Sequence, residues 1–321
     1  MRAAVRNIYG PPEVLKFEEV DKPDLTDDGV LVRVRAASIN PADWYTLTGK
    51  PYIARTQAGL LKPKSNRLGT DFSGTVEAVG KDVDDFRPGD EVFGARSGAL
   101  ADYVCVRDAI VLKPTNMTFE QAAAVPVAAL TALQGLRDKG QLQPGQKVLI
   151  NGASGGVGTF AVQIAKALGA EVTGVCSTRN VDLVRSLGAD QVIDYTKEDF
   201  TIGDRRYDLI LDNAGSKSWS ETRRVLKPKA TVIIVGAPKG GGFLGPLTHI
   251  VKVRLAALGS KRKAMFFIAK LNRTDLIVMR EFFESGKVKP IVDQCFELSK
   301  SADAFRYLGE GHAQGKVIVR W

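Results

Sequence analysis

The 321-residue chain has little metal-binding or disulfide chemistry to draw on, with three cysteines and two histidines. Cys105, Cys176 and Cys295 are odd in number and widely spaced, which excludes a disulfide framework and a closely spaced thiolate metal motif. His249 and His312 complete the set, which leaves a three-ligand nitrogen and sulfur site little to draw on. Charges, Gly or Pro interrupt every apolar run before the roughly 18 to 20 residues that a membrane helix needs. After Met1 the chain enters the alternating Arg2-Ala-Ala-Val-Arg6 without the apolar core of a secretory signal, and a cytoplasmic location is expected. Hydrophobic residues at 44% and charged residues at 25% are those of an ordinary globular chain, which excludes a disordered or fibrous one.

The length predicts two domains. Up to about residue 120 short β-like runs such as Val30 to Arg35, Gly74 to Val79, Glu91 to Phe93 and Tyr103 to Val106 are separated by turn residues, including Asp27-Asp-Gly29 and Arg87-Pro-Gly-Asp90. The composition then shifts to an Ala- and Leu-rich helical stretch, Gln121 to Leu136, bent near Pro126. Beyond it, apolar strands at 147–150, 171–176, 191–193, 208–211 and 230–235 alternate with helices at 160–168, 181–187 and 218–226. That order predicts a parallel, doubly wound sheet with a ligand at the carboxyl ends of its strands. Strand signals return at 292–298 and 316–320, around a helix near 301–308, so the chain re-enters its first domain. The expected division is 1–121, completed by 287–321, against 122–286.

The most informative segment is Val148-Leu-Ile-Asn-Gly-Ala-Ser-Gly-Gly-Val-Gly158, a buried strand, a Gly-rich turn and a helix. Small residues let the backbone approach a pyrophosphate, whose charge meets unpaired N–H groups at the positive end of the helix dipole. The G-x-G-x-x-G frame falls on Ala153, Gly155 and Gly158, with alanine at its first position. NAD sites hold the ribose 2′-OH with an Asp or Glu about 20 residues on. Here that region reads Val175-Cys-Ser-Thr-Arg-Asn180, and Ser177 and Arg179 offer a hydroxyl and a guanidinium suited to a 2′-phosphate. NADPH is therefore expected over NADH, the bland reading of Arg179 being a solvated surface arginine.

Further segments, Ala36-Ala-Ser-Ile-Asn-Pro-Ala-Asp43, Gly69-Thr-Asp-Phe-Ser-Gly-Thr-Val76, Arg87-Pro-Gly-Asp-Glu-Val-Phe-Gly94, Ala129-Leu-Thr-Ala-Leu-Gln134 and Gly315-Lys-Val-Ile-Val319, join the glycine loop in a pattern covering essentially the whole chain. In these the sequence resembles the zinc-independent quinone oxidoreductase-like branch of the medium-chain dehydrogenase/reductase superfamily. The resemblance implies an α/β chain with a GroES-like β-rich catalytic domain, an inserted Rossmann domain, and an active site in the cleft between them. Zinc-dependent members carry a Cys ligand in the segment matching Ser38 to Asp43 and Gly-His-Glu where this chain has Gly69-Thr70-Asp71, so both ligands are missing. The resemblance places Ser154, Gly155, Gly156 and Val157 at the pyrophosphate, and Ser177, Arg179 and Tyr195 at the adenosine 2′-phosphate. Asn213 and Gly236 line the nicotinamide side, Thr131 lies near the carboxamide, and Asn40 and Asp43 form the cleft floor. Tyr45 and Tyr52 are candidate proton donors or packed aromatics. The alternative reading of Tyr195 and Asn40 is as turn residues.

Lys239 to Arg273 holds eight Lys and Arg and no acid, against a net charge of +9 for the chain. Interleaved with Leu255, Leu258, Phe266, Phe267 and Ile268, it reads as a solvated helical face, a weak peripheral membrane contact, or a cover over the substrate cleft. The expected function is hydride transfer from NADPH to a quinone or to the activated C=C of an α,β-unsaturated carbonyl, without metal. The alternatives are a zinc-free NADP-dependent alcohol dehydrogenase and a non-catalytic nucleotide- or RNA-binding relative. No specific nucleic acid is expected, since the chain lacks an aromatic-basic RNA signature. A homodimer is expected from the resemblance.

Overall fold

A computed structural model describes residues 1–236 and 246–321, in two compact units. The first comprises Met1–Leu130, Leu271–Gly286 and Pro290–Trp321, and the second Thr131–Lys270 and Lys287–Lys289.

The first unit is built on a seven-stranded sheet in the order Val292–Glu297, Lys316–Arg320, Val30–Ile39, Asp71–Val79, Glu91–Ala95, Ile110–Leu112, with Tyr103–Val106 also pairing to Val30–Ile39. Val30–Ile39 is thus the hub, bonded to three neighbours, and its burial follows from that position. Its apolar side chains meet Phe72, Val92, Ile110, Val317 and the helical Phe305 in one core. The hub strand ends at Asn40, where Pro41 starts the helix Pro41–Thr48. Proline is pre-organised for a first helical position, and Asn40 Oδ1 and its neighbour Asp43 supply polar groups at the turn. Backbone N–H of Asn40 donates to Asp43 Oδ2 at 2.8 Å. That helix was not among the elements expected from the sequence.

The second unit is a six-stranded parallel sheet in the order Gln191–Asp194, Glu171–Cys176, Lys147–Asn151, Tyr207–Asp212, Leu226–Ile234, Lys263–Phe266. The order reverses between Lys147–Asn151 and Tyr207–Asp212. In doubly wound sheets such a reversal opens a crevice outside the strand ends.

The units depart from the expected division at three stretches, the shortest being Lys287–Lys289, which belongs to the second unit. Residues 122–130 belong to the first unit because the helix Phe119–Ala123 packs on Val30–Ile39 and Asp71–Val79, with Ala123 and Ala124 buried against Ala36 and Ile318. Residues 271–286 join it through the amphipathic helix Arg273–Glu284, whose Phe283 carbonyl accepts from Asn116 Nδ2 at 3.0 Å.

The basic segment is also corrected. Lys239 lies outside the described residues; Lys252 and Arg254 lie on the helix Pro246–Ala256, Lys263 on the edge strand Lys263–Phe266 and Arg273 at the start of Arg273–Glu284, with Lys261, Arg262 and Lys270 between these elements, so it is not one amphipathic face. Ile250, Val253 and Ala257 enter the core of the second unit while Lys252 and Arg254 stay exposed. Arg262 donates to the carbonyls of Leu226 and Lys227 instead of facing water alone. Among the described residues no helix is long and apolar enough to cross a membrane.

Candidate active site

In the second unit the glycine turn follows Asn151, the last residue of its strand. Gly152 has φ +74°, a left-handed conformation that glycine adopts without steric penalty. The helix Gly156–Ala167 begins directly afterwards, and Ser154 to Val157 remain partly exposed at its N-terminus. Gly155 and Gly158 are glycine for different reasons. A Cβ on Gly158 would lie 2.1 Å from the Gly152 carbonyl oxygen, so close packing of helix on turn forbids it. One on Gly155 would meet nothing nearer than 3.6 Å, so the position is open on its outer side and backbone can approach a ligand there. Together these features fit a pyrophosphate.

At the neighbouring strand end, Ser177 is half-buried and Arg179 exposed. Asn180, buried, donates from Nδ2 to Ser154 Oγ at 2.8 Å and to Ser177 Oγ at 3.3 Å, tying the glycine turn to the end of the neighbouring strand. Tyr195 is 62% exposed, with its backbone N–H bonded to the Cys176 carbonyl. A carboxylate does stand nearby, but on the third strand. Asp194 accepts from the hydroxyls of Thr178 and Thr196, both at 2.7 Å, and these bonds, the Thr178 one foremost, hold it down at about 2. Reading only the end of the second strand for an acid missed it. Burial pushes the Cys176 thiol up to about 11, which keeps it an inert thiol.

On the other side of the reversal, Asn213 Nδ2 donates to the Asn151 carbonyl at 3.0 Å, and Asn213 Oδ1 is buried without a partner among the described residues. A Cβ on Gly236 would fall 1.9 Å from the Asn213 carbonyl oxygen, which makes glycine obligatory there. Asn213, Gly236, Asn151 and the glycine turn therefore gather at the carboxyl ends of the central strands. Thr131 begins the second unit as the sixth residue of the helix Pro126–Leu133.

In the first unit the expected Asn40 and Asp43 come together with residues that sequence reasoning passed over. Asp71, fully buried, accepts from Ser38 Oγ at 2.9 Å and Asn40 Nδ2 at 3.0 Å on one oxygen, and from the Val127 backbone N–H at 3.0 Å on the other. Lys316 Nζ donates to Asn40 Oδ1 at 2.5 Å and lies 3.3 Å from Asp71 Oδ2. Asp43 Oδ1 accepts from Thr70 Oγ1 at 3.3 Å. Burial lifts the Asp43 carboxyl to about 6, opposed by the Asn40 N–H and Lys316 and reinforced by Asp71. The signal for Lys316 was a lone charge opening an otherwise apolar strand, Lys316-Val-Ile-Val319. Tyr45 is half-buried, with its phenol pushed up by burial. Tyr52 is 47% exposed and stacks under the Arg55 guanidinium, whose carbon is 4.9 Å from the ring centroid. Two surface cavities of about 160 and 250 Å³ on this unit are lined by none of these residues.

Against known proteins, residues 26–116 match an alcohol dehydrogenase GroES-like domain and residues 187–319 a zinc-binding dehydrogenase domain. The NADPH-dependent alkenal/one oxidoreductase of Arabidopsis thaliana is 35% identical over 339 residues, covering 99% of this chain and 79% of that one. The chain belongs to the quinone oxidoreductase-like branch of the medium-chain dehydrogenase/reductase superfamily. Of solved structures in this superfamily, the quinone oxidoreductase of Coxiella burnetii matches with a TM-score of 0.87 at 31% identity, covering 100% of this chain and 99% of that one. An NAD-dependent alcohol dehydrogenase matches at 0.86 and 30%, covering 100% of both.

Proposed function

We propose that the chain is an NADPH-dependent reductase of quinones or of the C=C bond of α,β-unsaturated carbonyls, working without metal. The observation that carries the coenzyme choice is the Ser177-Thr178-Arg179 turn, standing where an NAD site holds a carboxylate. When bound, NADPH supplies hydride from C4 of its nicotinamide ring. Ser154 to Val157 hold the pyrophosphate on the helix N-terminus, and Ser177, Arg179 and Tyr195 receive the 2′-phosphate. Thr131, Asn213 and Gly236 bound the nicotinamide. Asn40 orients ribose or substrate through its amide, and Tyr52 gives the proton that the reduced carbon or oxygen takes up.

The zinc implied by the matched dehydrogenase domain does not fit these residues. Thr70 stands where zinc-dependent members have His, and both Asp71 oxygens already accept hydrogen bonds from the protein. Among the described residues no group of three or more His, Cys, Asp or Glu is placed to hold an ion. Asp71 is instead neutralised by Lys316. Hydride delivery to an already polarised acceptor needs hydrogen-bond donors and positioning in place of a Lewis acid.

The deciding experiment follows loss of NADPH absorbance against quinones, enals, enones and alcohols, with NADH in parallel. Enone or quinone turnover that prefers NADPH supports the proposal. NADP-linked oxidation of simple alcohols exceeding enone reduction assigns the chain to the alcohol dehydrogenases. Salt-sensitive RNA binding that NADPH leaves intact would indicate the non-catalytic reading. A cytoplasmic homodimer accompanies the proposal, to be checked by cell fractionation and light scattering.

A further inference from the structure

Lysine is almost never fully buried unless it is paired, yet Lys316 is 3% exposed. Strand register explains how it gets there. Val317 pairs with Ile39 and Ile318 with Ser38, so the antiparallel ladder sets Lys316 opposite Asn40; on the other flank Ser38 pairs with Asp71. Three adjacent strands thus deliver an ammonium, an amide and a carboxylate to one buried spot.

The chemistry of the three groups allows a single arrangement. Ammonium only donates and carboxylate only accepts, while the amide between them does both. Asn40 must turn Oδ1 to Lys316 and Nδ2 to Asp71, as the 2.5 and 3.0 Å contacts have it. The reverse orientation would set N–H against ammonium and oxygen against carboxylate. Asp71 is also bound by the Val127 N–H in the first turn of the helix Pro126–Leu133, so the same charge pair anchors the start of the helix that runs to Thr131.

We propose that Lys316 is a positioning residue of the active site. Its ammonium neutralises Asp71 and locks the Asn40 amide in one orientation, in the segments where zinc-dependent members of the superfamily place their ligands. Asn40 then keeps one amide proton, aimed in a fixed direction, for ribose or substrate. A surface salt bridge would not do this, because water would rotate the amide freely.

The kinetic consequence rests on the reductase reading; the amide orientation does not. The test therefore reads both. In protein labelled with ¹⁵N-asparagine, the Asn40 side-chain amide, assigned by its loss in N40D, should exchange slowly with solvent. In K316M it should lose that protection, and kcat for an enone should fall at least tenfold. Because K316M leaves Asp71 unpaired, K316M/D71N serves as the second variant. It should regain the melting temperature of wild type while kcat stays low. An Asn40 amide unchanged in K316M, or a double variant with wild-type kcat, would overturn the proposal. A wild-type chain inert toward every acceptor would instead refute the reductase reading and leave the amide result standing.

Discussion

Asn151 donates from Nδ2 to Asp212 Oδ1 at 2.8 Å, joining the carboxyl ends of the two strands between which the sheet order reverses. Asp212 also accepts from the backbone N–H groups of Ala214 and Gly215, at 3.2 and 2.8 Å, and burial still leaves its carboxyl above the ordinary range. The pair holds the floor of the crevice in which the coenzyme is proposed to sit. Replacing Asn151 by Ala leaves a buried carboxylate short of a donor, at a cost of about 1–3 kcal/mol. The melting temperature should fall, and NADPH should restore part of the loss. An unchanged melting temperature would show that the bond contributes nothing.

The two glycines of the turn should separate folding from binding. Gly158→Ala forces a methyl to 2.1 Å from the Gly152 carbonyl and should lower both the melting temperature and NADPH affinity. Gly155→Ala, with no atom nearer than 3.6 Å, should leave the melting temperature alone and weaken NADPH at least tenfold by calorimetry. Normal NADPH binding by Gly155→Ala would move the pyrophosphate elsewhere.

Arg179→Ala should raise the KM for NADPH by roughly 10- to 100-fold, the equivalent of one charge-assisted hydrogen bond at about 1.5–3 kcal/mol. The KM for NADH should not move. Equal effects on both coenzymes would return Arg179 to the solvated surface.

Asp43 gives a pH signature. Its carboxyl sits at about 6 in the fold against a normal 3.8, so between these values the folded chain binds the extra proton. Its stabilising contribution is complete below about pH 4 and is lost as pH rises through 6, by roughly 3 kcal/mol at most. Asp43→Asn removes that dependence and keeps an acceptor for the Asn40 N–H. The variant should therefore gain several degrees on wild type in melting temperature between pH 4.5 and 7.5. A constant difference between the two proteins would rule out the shift.

Tyr52→Phe should lower kcat about 100-fold with little change in melting temperature, as expected for loss of a general acid. Tyr45→Phe, at a half-buried ring, should leave kcat within a few-fold. If Tyr45→Phe is the damaging change, the proton comes from the helix Pro41–Thr48 instead.

Much of this was legible before any coordinates. The parallel strands showed as short apolar runs because sheets covered on both faces bury every residue of a strand, and the glycine turn showed because close backbone approach admits few other residues. The helix Pro41–Thr48 was hidden by Asn40-Pro41, which reads equally as a turn. The basic segment was not legible as separate pieces, because nothing in its local pattern shows that its charges are shared among the helix Pro246–Ala256, the edge strand Lys263–Phe266, the helix Arg273–Glu284 and the turns between them. Local pattern thus determined most of the element types, the place of the glycine turn and the superfamily. Only the tertiary structure decided that Lys316, 276 positions from Asn40, completes the buried network with Asp71, because strand register, and not sequence spacing, sets which polar groups share one dry site.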